Sequence, residues 1–281
     1  MKLIRFGAKN QEKPGVILDG QRKDCSAYFS DWNHDFFQEE GLAKLQELLD
    51  QEGDQLPDVP AEARWGSPIA RPGMIMCVGL NYADHAKESG MDIPKEPLVF
   101  MKATNTIAGP FDEVDIPKNS LKTDWEVELG VVLKKDVLYL ENEAAAAEAI
   151  AGYCVINDLS ERAFQLEKGG QWVKGKSCPG FSPVGPYLAT PDEIEDVMTL
   201  EMKLSVNGVS KQDGTTSTMI FKPDHVIWYL SQLMQLEAGD LISTGTPPGV
   251  GLGFDPPQYL RAGDEVELSI AGLGTQRQIY R

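Results

Sequence analysis

The sequence contains no run of about 18 apolar residues, the length that a membrane-spanning helix requires. Its first residues, MKLIRF, alternate like a strand and lack the apolar core of a signal peptide. Basic residues are also few, since 26 Lys and Arg stand against 43 Asp and Glu in 281 residues, a formal charge of −17. A surface this negative disfavours nucleic acids and anionic membranes as partners. We therefore expect a cytoplasmic protein.

Cysteine and histidine are scarce. The four cysteines lie far apart and form no C-x-x-C pair, so neither a zinc cluster nor a dithiol redox centre is predicted. They are Cys25, Cys77, Cys154 and Cys178. With only three histidines in the chain, any histidine that carries chemistry has few competitors.

Turn residues and prolines predict a small N-terminal module followed by a larger body. Residues 1–24 are typical of a strand pair with a hairpin at Asp19-Gly20, and 39–52 are typical of an amphipathic helix. Four prolines then interrupt a polar stretch between 57 and 72. We place the boundary near residue 70, which gives a module of 1–70 and a body of 71–281.

The body is predicted to be rich in β-strands. It opens with an apolar strand near 74–80, and Asn207-Gly208 indicates a hairpin. Two more strands are predicted over 264–270 and 276–280, while helical patterns are confined to 81–89, 141–151, 160–167 and 223–233. The regular βαβα alternation of nucleotide-binding folds is absent. The predicted fold class is therefore a mixed, β-rich α+β body with short helices, behind a small α+β module.

Residues 123–130 alternate acidic and apolar side chains. In a strand, Asp124, Glu126 and Glu128 share one face, and the apolar side chains at 125, 127, 129 and 131 share the other. Adjacent carboxylates repel one another and are costly to bury unless a cation offsets them. The stretch is thus either half of a metal site or, as is common for alternating acids, a solvated strand face.

A third acid follows another apolar strand. Residues 152–156 are apolar, and Asn157-Asp158 follow them directly. Glu126, Glu128 and Asp158 together would provide only oxygen ligands, which favour Mg²⁺, Mn²⁺ or Ca²⁺ over zinc.

A candidate general base lies at 81–88. Asn81 is a favoured helix N-cap, Asp84 suits the third helical position, and His85 and Glu88 would then share one helix face. A carboxylate beside an imidazole can orient it as a base. The alternative is an incidental surface pair, which is common.

Two lysines and one loop could contact an anionic substrate. Lys102 and Lys176 lie in apolar or glycine-rich surroundings, although ordinary surface lysines remain the alternative. The loop 243–251 lacks the lysine of a P-loop, so nucleotide binding is weakly indicated, and its hydroxyls and amides could hold a carboxylate instead.

Seven segments together resemble the fumarylacetoacetate hydrolase family. They occur in family order over roughly residues 70–281: CVGLNYADHAKE (77–88), EPLVFMKA (96–103), DWEVELGVV (124–132), GYCVINDLSER (152–162), KGKS (174–177), VNGVSKQDGTTSTMIF (206–221) and STGTPPGVGLG (243–253). The resemblance implies a mixed β-roll, a homodimer, and a Mg²⁺-type ion, with Mn²⁺ or Ca²⁺ as substitutes.

The resemblance also implies residue roles. The metal ligands would be Glu126, Glu128 and Asp158, and the catalytic residues would be His85, Glu88 and Lys176. The substrate contacts would be Arg162, Gln165, Lys102, Thr246 and Gly245. The additional aspartate ligand of the larger animal hydrolase has no clean match here, so we expect three protein ligands.

The activity implied is hydrolysis of a carbon–carbon bond in a 2,4-dioxo acid (an acylpyruvate), with a 2,4-diketo-3-deoxy sugar acid as the best-fitting substrate. His85, oriented by Glu88, would activate water. Alternatives within the family are an oxaloacetate-type decarboxylase, a hydroxy-diene-dioate isomerase and a ureidoglycolate lyase. A more distant alternative is a non-catalytic Ca²⁺-binding protein, which would need no base.

Overall fold

A computed structural model of the chain describes residues 1–84 and 92–281. Its strands are β1 Lys2–Phe6, β2 Lys13–Leu18, β3 Gln21–Asp24, β4 Ile75–Gly79, β5 Leu98–Lys102, β6 Ile107–Ala108, β7 Thr123–Asp124, β8 Val127–Leu133, β9 Ile150–Asn157, β10 Ser160–Glu161, β11 Ser182–Pro183, β12 Leu188–Ala189, β13 Glu201–Val206, β14 Val209–Thr215, β15 Leu241–Ser243, β16 Glu265–Ile270 and β17 Gly274–Ile279. The helices within these ranges are α1 His34–Gln38, α2 Gly41–Glu52, α3 Glu143–Ala147, α4 Arg162–Leu166, α5 Val173–Lys176 and α6 Pro223–Ser231. Short 3₁₀ turns cover Gly53–Gln55, Thr104–Thr106, Pro191–Glu193, Val197–Thr199, Thr216–Thr218 and Gly251–Gly253. None of the described helices combines the length and the apolar character needed to cross a membrane.

Two sheets form the framework. The larger has nine strands in the order β3-β2-β1-β12-β9-β8-β15-β4-β5, and the smaller has four in the order β14-β13-β16-β17. Strands β13 and β16 pack against β8 and β9, so the smaller sheet covers one face of the larger. The predicted β-rich fold with short helices is confirmed.

Each face of the large sheet contributes to its own core. Leu129 and Val131 of β8 share a core with Leu204 of the smaller sheet. Val132 shares a second core with Trp32, which precedes α1. Because successive strand residues point to opposite faces, β8 is buried on both sides.

The N-terminal strands extend the large sheet, since β1 pairs with β12 through Lys2↔Ala189. The family-like body and these strands therefore share one sheet, while the division near residue 70 stays a prediction. Both predicted hairpin turns are confirmed: Asp19 and Gly20 have φ of 50° and 78°, and Asn207 and Gly208 have φ of 52° and 74°. Positive φ at both central residues is what a two-residue hairpin turn with the twist of its strands requires.

The helix predicted over 141–151 is shorter than expected. Asn142 caps α3 by accepting a hydrogen bond from Ala145 N, but the helix ends at Ala147. From Ile150 the chain enters β9, which pairs with β8 along its whole length. The alanine run 144–147 is helical as predicted, whereas pairing in the centre of a buried sheet overrides the predicted continuation of the helix to residue 151.

Strand directions bring three strand ends to one edge of the large sheet. Strand β15 runs parallel to β4, and both β15 and β9 pair antiparallel with β8. The start of β8 thus lies beside the ends of β9 and β15, as the pair Val127↔Asn157 shows. This edge carries the acids singled out in the sequence.

Candidate active site

The acidic stretch is not one continuous strand. Asp124 pairs with Ser160 across β7 and β10, whereas β8 begins at Val127. At the break, Glu126 N donates to Asn157 Oδ1 at 3.2 Å and Glu126 O accepts from Asp158 N at 2.9 Å. Since Asp124 and Glu128 are 0% and 2% exposed, the reading of this stretch as a solvated strand face is wrong.

Three carboxylates converge at this break. Glu126, Glu128 and Asp158 each provide an oxygen, and these atoms lie within 4.8 Å of one another. Ligands at about 2.0–2.6 Å from one cation are separated by at most about twice that distance, so this spacing fits a single divalent ion. The structure thus brings together the three residues that the sequence predicts as metal ligands.

Two of the three carboxylates are paired with cations. Arg162 Nη2 lies 2.6 Å from Glu126 Oε1, and Lys176 Nζ lies 2.6 Å from both Glu126 Oε2 and Asp158 Oδ2. Lys102 Nζ forms a further ion pair with Asp158. Burial raises the pKa of Glu126, but Lys176 and Arg162 outweigh it and hold that pKa at about 2. Burial likewise lowers the pKa of Lys176, but Asp158 and Glu126 raise it above its ordinary value.

Glu128 has no cationic partner within the described residues. Its Oε2 accepts from Ser243 Oγ at 2.5 Å and from Gly245 N at 2.8 Å, while no hydrogen bond of Oε1 is found in the described chain. Burial, together with the nearby Asp158 and Glu126, raises the pKa of Glu128 well above its ordinary value. A buried carboxylate with one unused oxygen is what a bound cation would stabilise. The oxygen-only donor set therefore fits a hard divalent ion.

A cavity of 440 Å³ opens over these acids. Its polar part contains Glu126, Glu128, Arg162, Gln165 and Lys176. The remaining wall is formed by Val78, Gly79, Leu80, Phe100, Leu166, Trp172, Gly245, Thr246, Val250, Leu252 and Gly253. This size suits a small organic substrate.

The predicted substrate contacts divide into two groups. Arg162, Gln165, Gly245 and Thr246 line the cavity, whereas Lys102 does not. Lys102 is 1% exposed, and besides Asp158 it donates to the carbonyls of Leu159 and Phe181 at 3.1 and 2.7 Å. Its position is that of a buried ion-pair partner. The predicted base, His85 with Glu88, lies outside the described residues.

Asp124, to which the sequence assigned no role, supports the cavity. Its Oδ2 accepts from Arg162 Nε at 2.8 Å, and its Oδ1 accepts from Gly251 N at 2.6 Å. Leu252 N adds a bond of 3.0 Å. Asp124 therefore joins Arg162 to the glycine-rich loop that forms the rim of the cavity.

Gln212 is a further residue that sequence reasoning missed. Its Oε1 accepts from Val127 N at 2.9 Å, and its Nε2 donates to Thr246 Oγ1 and Pro247 O, both at 2.8 Å. It is fully buried and fixes the start of β8 to the loop after β15. A glutamine in a polar hairpin strand gives no sequence signal for this role.

A family model described as Fumarylacetoacetate (FAA) hydrolase C-terminal matches residues 74–279. The chain belongs to the fumarylacetoacetate hydrolase family. A protein of Burkholderia multivorans is 51% identical over 286 residues, and the match covers 100% of this chain and 99% of that protein. That protein bears only the general, unproven name of hydrolase. The fumarylacetoacetate hydrolase of Exiguobacterium antarcticum is 33% identical with a TM-score of 0.88, covering 100% and 99%.

Two further similar solved structures are of proteins whose names state a reaction. A 2-hydroxyhepta-2,4-diene-1,7-dioate isomerase of Mycobacterium marinum is 27% identical with a TM-score of 0.76, covering 100% of this chain and 98% of its own. A maleylpyruvate hydrolase of Sphingobium, solved with manganese(II) and pyruvate, shares the fold at 23% identity and a TM-score of 0.82, with the same coverage. This family member is accordingly a hydrolase or isomerase of the fumarylacetoacetate hydrolase type, with an acidic triad that could bind a divalent metal.

Proposed function

We propose that the protein is a metal-dependent hydrolase that cleaves a carbon–carbon bond in a 2,4-dioxo acid, an acylpyruvate, and gives pyruvate and a second acid. The observation that carries the proposal is the convergence of three buried carboxylates within 4.8 Å beneath a 440 Å³ cavity. The maleylpyruvate hydrolase of the same fold, solved with manganese(II) and pyruvate, supports it. Mg²⁺ is the proposed ion, with Mn²⁺ or Ca²⁺ as substitutes.

Glu126, Glu128 and Asp158 would hold the ion. Once bound, such an ion polarises a carbonyl oxygen of the substrate and stabilises the negative charge that develops there. The protein contributes a rigid setting, because Lys176 and Arg162 fix the orientation of Glu126, and Ser243 fixes that of Glu128.

Gln165 is placed to donate to the substrate. Arg162 Nη1 lies 3.1 Å from Gln165 Oε1, and a guanidinium can only donate hydrogen bonds. The amide oxygen must therefore face Arg162, and no hydrogen bond of the amide NH₂ is found in the described chain. We propose that this NH₂ group, which belongs to a cavity-lining side chain, binds a substrate oxygen.

His85, oriented by Glu88, is the proposed general base that takes a proton from the attacking water. Support for this assignment comes from the sequence pattern alone. Gly245 and Thr246 are proposed to shape the substrate subsite. Gly245 N donates a hydrogen bond to Glu128 Oε2, and Thr246 Oγ1 donates to Val127 O at 2.8 Å.

The direct test is turnover. Protein freed of metal and resupplied with Mg²⁺ or Mn²⁺ is incubated with a set of acylpyruvates, and loss of enol absorbance is followed together with formation of pyruvate. We expect metal-dependent pyruvate release. Absence of turnover for every acylpyruvate in both metals would reject the hydrolase assignment.

The second candidate is an isomerase, favoured by the solved structure of the Mycobacterium marinum enzyme. Product analysis separates it from the hydrolase, because isomerisation leaves the substrate mass unchanged. The same analysis covers the remaining family alternatives: carbon dioxide indicates a decarboxylase, and glyoxylate with urea indicates a ureidoglycolate lyase.

A protein whose unfolding responds to Ca²⁺ but which acts on no 2-oxo acid would instead be a binding protein. The expected homodimer is checked by sedimentation equilibrium.

A further inference from the structure

The cavity wall changes from polar to apolar a short distance from the acids. Lys176 Nζ lies 5.2 Å from the centroid of the Phe100 ring, so the apolar wall begins directly beside the polar floor. The Phe100 ring in turn packs edge-on against Trp172, with centroids 5.1 Å apart. Leu166 and Leu252, which also line the cavity, remain 48% and 39% exposed. Large apolar side chains left exposed around a cavity mark a surface that an apolar ligand can cover.

The same cavity offers no unpaired cation within the described part of the chain. The donors of Lys176 are directed at Glu126 Oε2, Asp158 Oδ2 and Asp158 O, at 2.6, 2.6 and 3.2 Å. Arg162 is bound to Asp124, Glu126 and Gln165. Among the described residues, a second substrate carboxylate at the apolar wall would find no free counter-charge, and burying a carboxylate without one is unfavourable.

Hydroxyl groups on the substrate would find few partners among the described residues of this wall, where the indole N–H of Trp172 is the side-chain donor. The hydroxyl of Thr246, which lines the cavity, donates to Val127 O and accepts from Gln212 Nε2. The neighbouring side chains Phe100, Leu166 and Leu252 offer no hydrogen-bonding atoms, and each unsatisfied polar group costs binding energy.

We infer that the acyl group of the substrate is an uncharged apolar chain or ring, bound against Phe100, Trp172, Leu166 and Leu252. This inference rests on the proposed function and specifies its substrate class. It differs from the polyhydroxylated sugar acid expected from the family resemblance, and it disfavours dicarboxylic substrates.

Kinetics with acylpyruvates of graded tails test the inference. Each added methylene that becomes buried should raise kcat/KM by about fourfold, which corresponds to ~0.8 kcal/mol. We expect hexanoylpyruvate and benzoylpyruvate to be cleaved with higher kcat/KM than acetylpyruvate, fumarylpyruvate or a 2,4-diketo-3-deoxy sugar acid. A higher kcat/KM for fumarylpyruvate or for the sugar acid would overturn the inference while leaving the hydrolase assignment intact.

A matched pair of variants links the preference to the wall. Leu252→Ser should lower the hexanoyl-to-acetyl ratio of kcat/KM several-fold. The control Leu233→Ser, at a leucine that is 61% exposed and does not line the cavity, should leave that ratio unchanged. An unchanged ratio in Leu252→Ser would contradict the assignment of this wall.

Binding separates the inference from the reaction. Calorimetric titration of the Mg²⁺-loaded protein should give a lower Kd for 2-oxooctanoate than for pyruvate, and a higher Kd for 2-oxoglutarate than for 2-oxooctanoate. If no acylpyruvate is cleaved but this order holds, the hydrolase assignment fails and the apolar subsite stands. If 2-oxoglutarate binds more tightly, the apolar subsite is refuted whatever the reaction.

Discussion

Neutralising two neighbouring glutamates should change stability in opposite directions. Glu126 is held by Arg162 and Lys176, each at 2.6 Å, whereas the hydrogen bonds that Glu128 accepts from described residues come from Ser243 Oγ and Gly245 N. The substitution Glu126→Gln therefore leaves two buried cations without one of their counter-charges. In contrast, Glu128→Gln removes a buried carboxyl group to which the described residues provide no cation, and it keeps an oxygen that can accept both hydrogen bonds.

The magnitudes follow from this asymmetry. Removing one partner of a buried ion pair costs about 3–5 kcal/mol, so metal-free Glu126→Gln should lose about that much stability. Relieving an unpaired buried polar group is worth about 1–3 kcal/mol, so metal-free Glu128→Gln should gain up to that amount. With about 2 °C per kcal/mol for a chain of this size, Tm should fall by ~6–10 °C in the first variant and rise by ~2–6 °C in the second.

Metal should offset or reverse the stability difference between Glu128→Gln and the wild-type protein. At about 100 times its Kd, Mg²⁺ or Mn²⁺ stabilises the wild-type protein by about 2.7 kcal/mol, and Glu128→Gln should lose most of this gain because a ligand is missing. The assay is urea denaturation followed by circular dichroism, on chelator-treated protein with and without the metal. The reasoning would be refuted if metal-free Glu128→Gln were destabilised as strongly as Glu126→Gln, or if it kept the full response to metal.

Three further outcomes are expected. Burial raises the pKa of Asp112, but the neighbouring Arg64 outweighs burial and lowers that pKa below its ordinary value. The stability that the Asp112–Arg64 pair provides is therefore present above the ordinary carboxyl pKa, and it is lost as pH falls through the lowered value. Asp112→Asn should therefore cost about 1–3 kcal/mol at pH 7 and much less in acid, and an equal cost at both pH values in urea denaturation would contradict this. Lys102→Met should destabilise the protein by about 3–5 kcal/mol, unlike the control Lys203→Met on the surface, whereas a raised KM with full stability would show that Lys102 binds substrate instead. His85→Ala should lower kcat by at least about 100-fold while the metal still raises Tm, and an undiminished kcat would exclude it as the base.

Alternation in the acidic stretch predicted which side chains share a face, and the structure agrees in part. Leu129 and Val131 of β8 do lie in one core. The period of two could not show that the opposite face is also buried, because burial depends on what packs there. Nor could it show the break at Glu126, which Asn157 and Asp158 stabilise from the neighbouring strand.

The lysines show a similar division. Sequence context marked Lys102 and Lys176 as unusual but could not distinguish a substrate contact from a structural ion pair. Lys176 lines the cavity, whereas Lys102 does not line it and forms an ion pair with Asp158. Gln212 was not found at all, since its three hydrogen bonds are to groups 34, 35 and 85 residues away in sequence.

The sequence by itself determined what depends on residue type and near neighbours. The two hairpin turns follow from Asp-Gly and Asn-Gly, which tolerate positive φ, and the oxygen-only ligand set follows from Glu126, Glu128 and Asp158. Only the tertiary structure decided which charges are balanced. Lys176 meets Glu126 across 50 residues, and Ser243 meets Glu128 across 115, because strand order and register bring these ends to one edge of the sheet. The absence of a cationic partner for Glu128 within the described residues, on which the proposed metal site depends, is a property of that arrangement rather than of the local sequence.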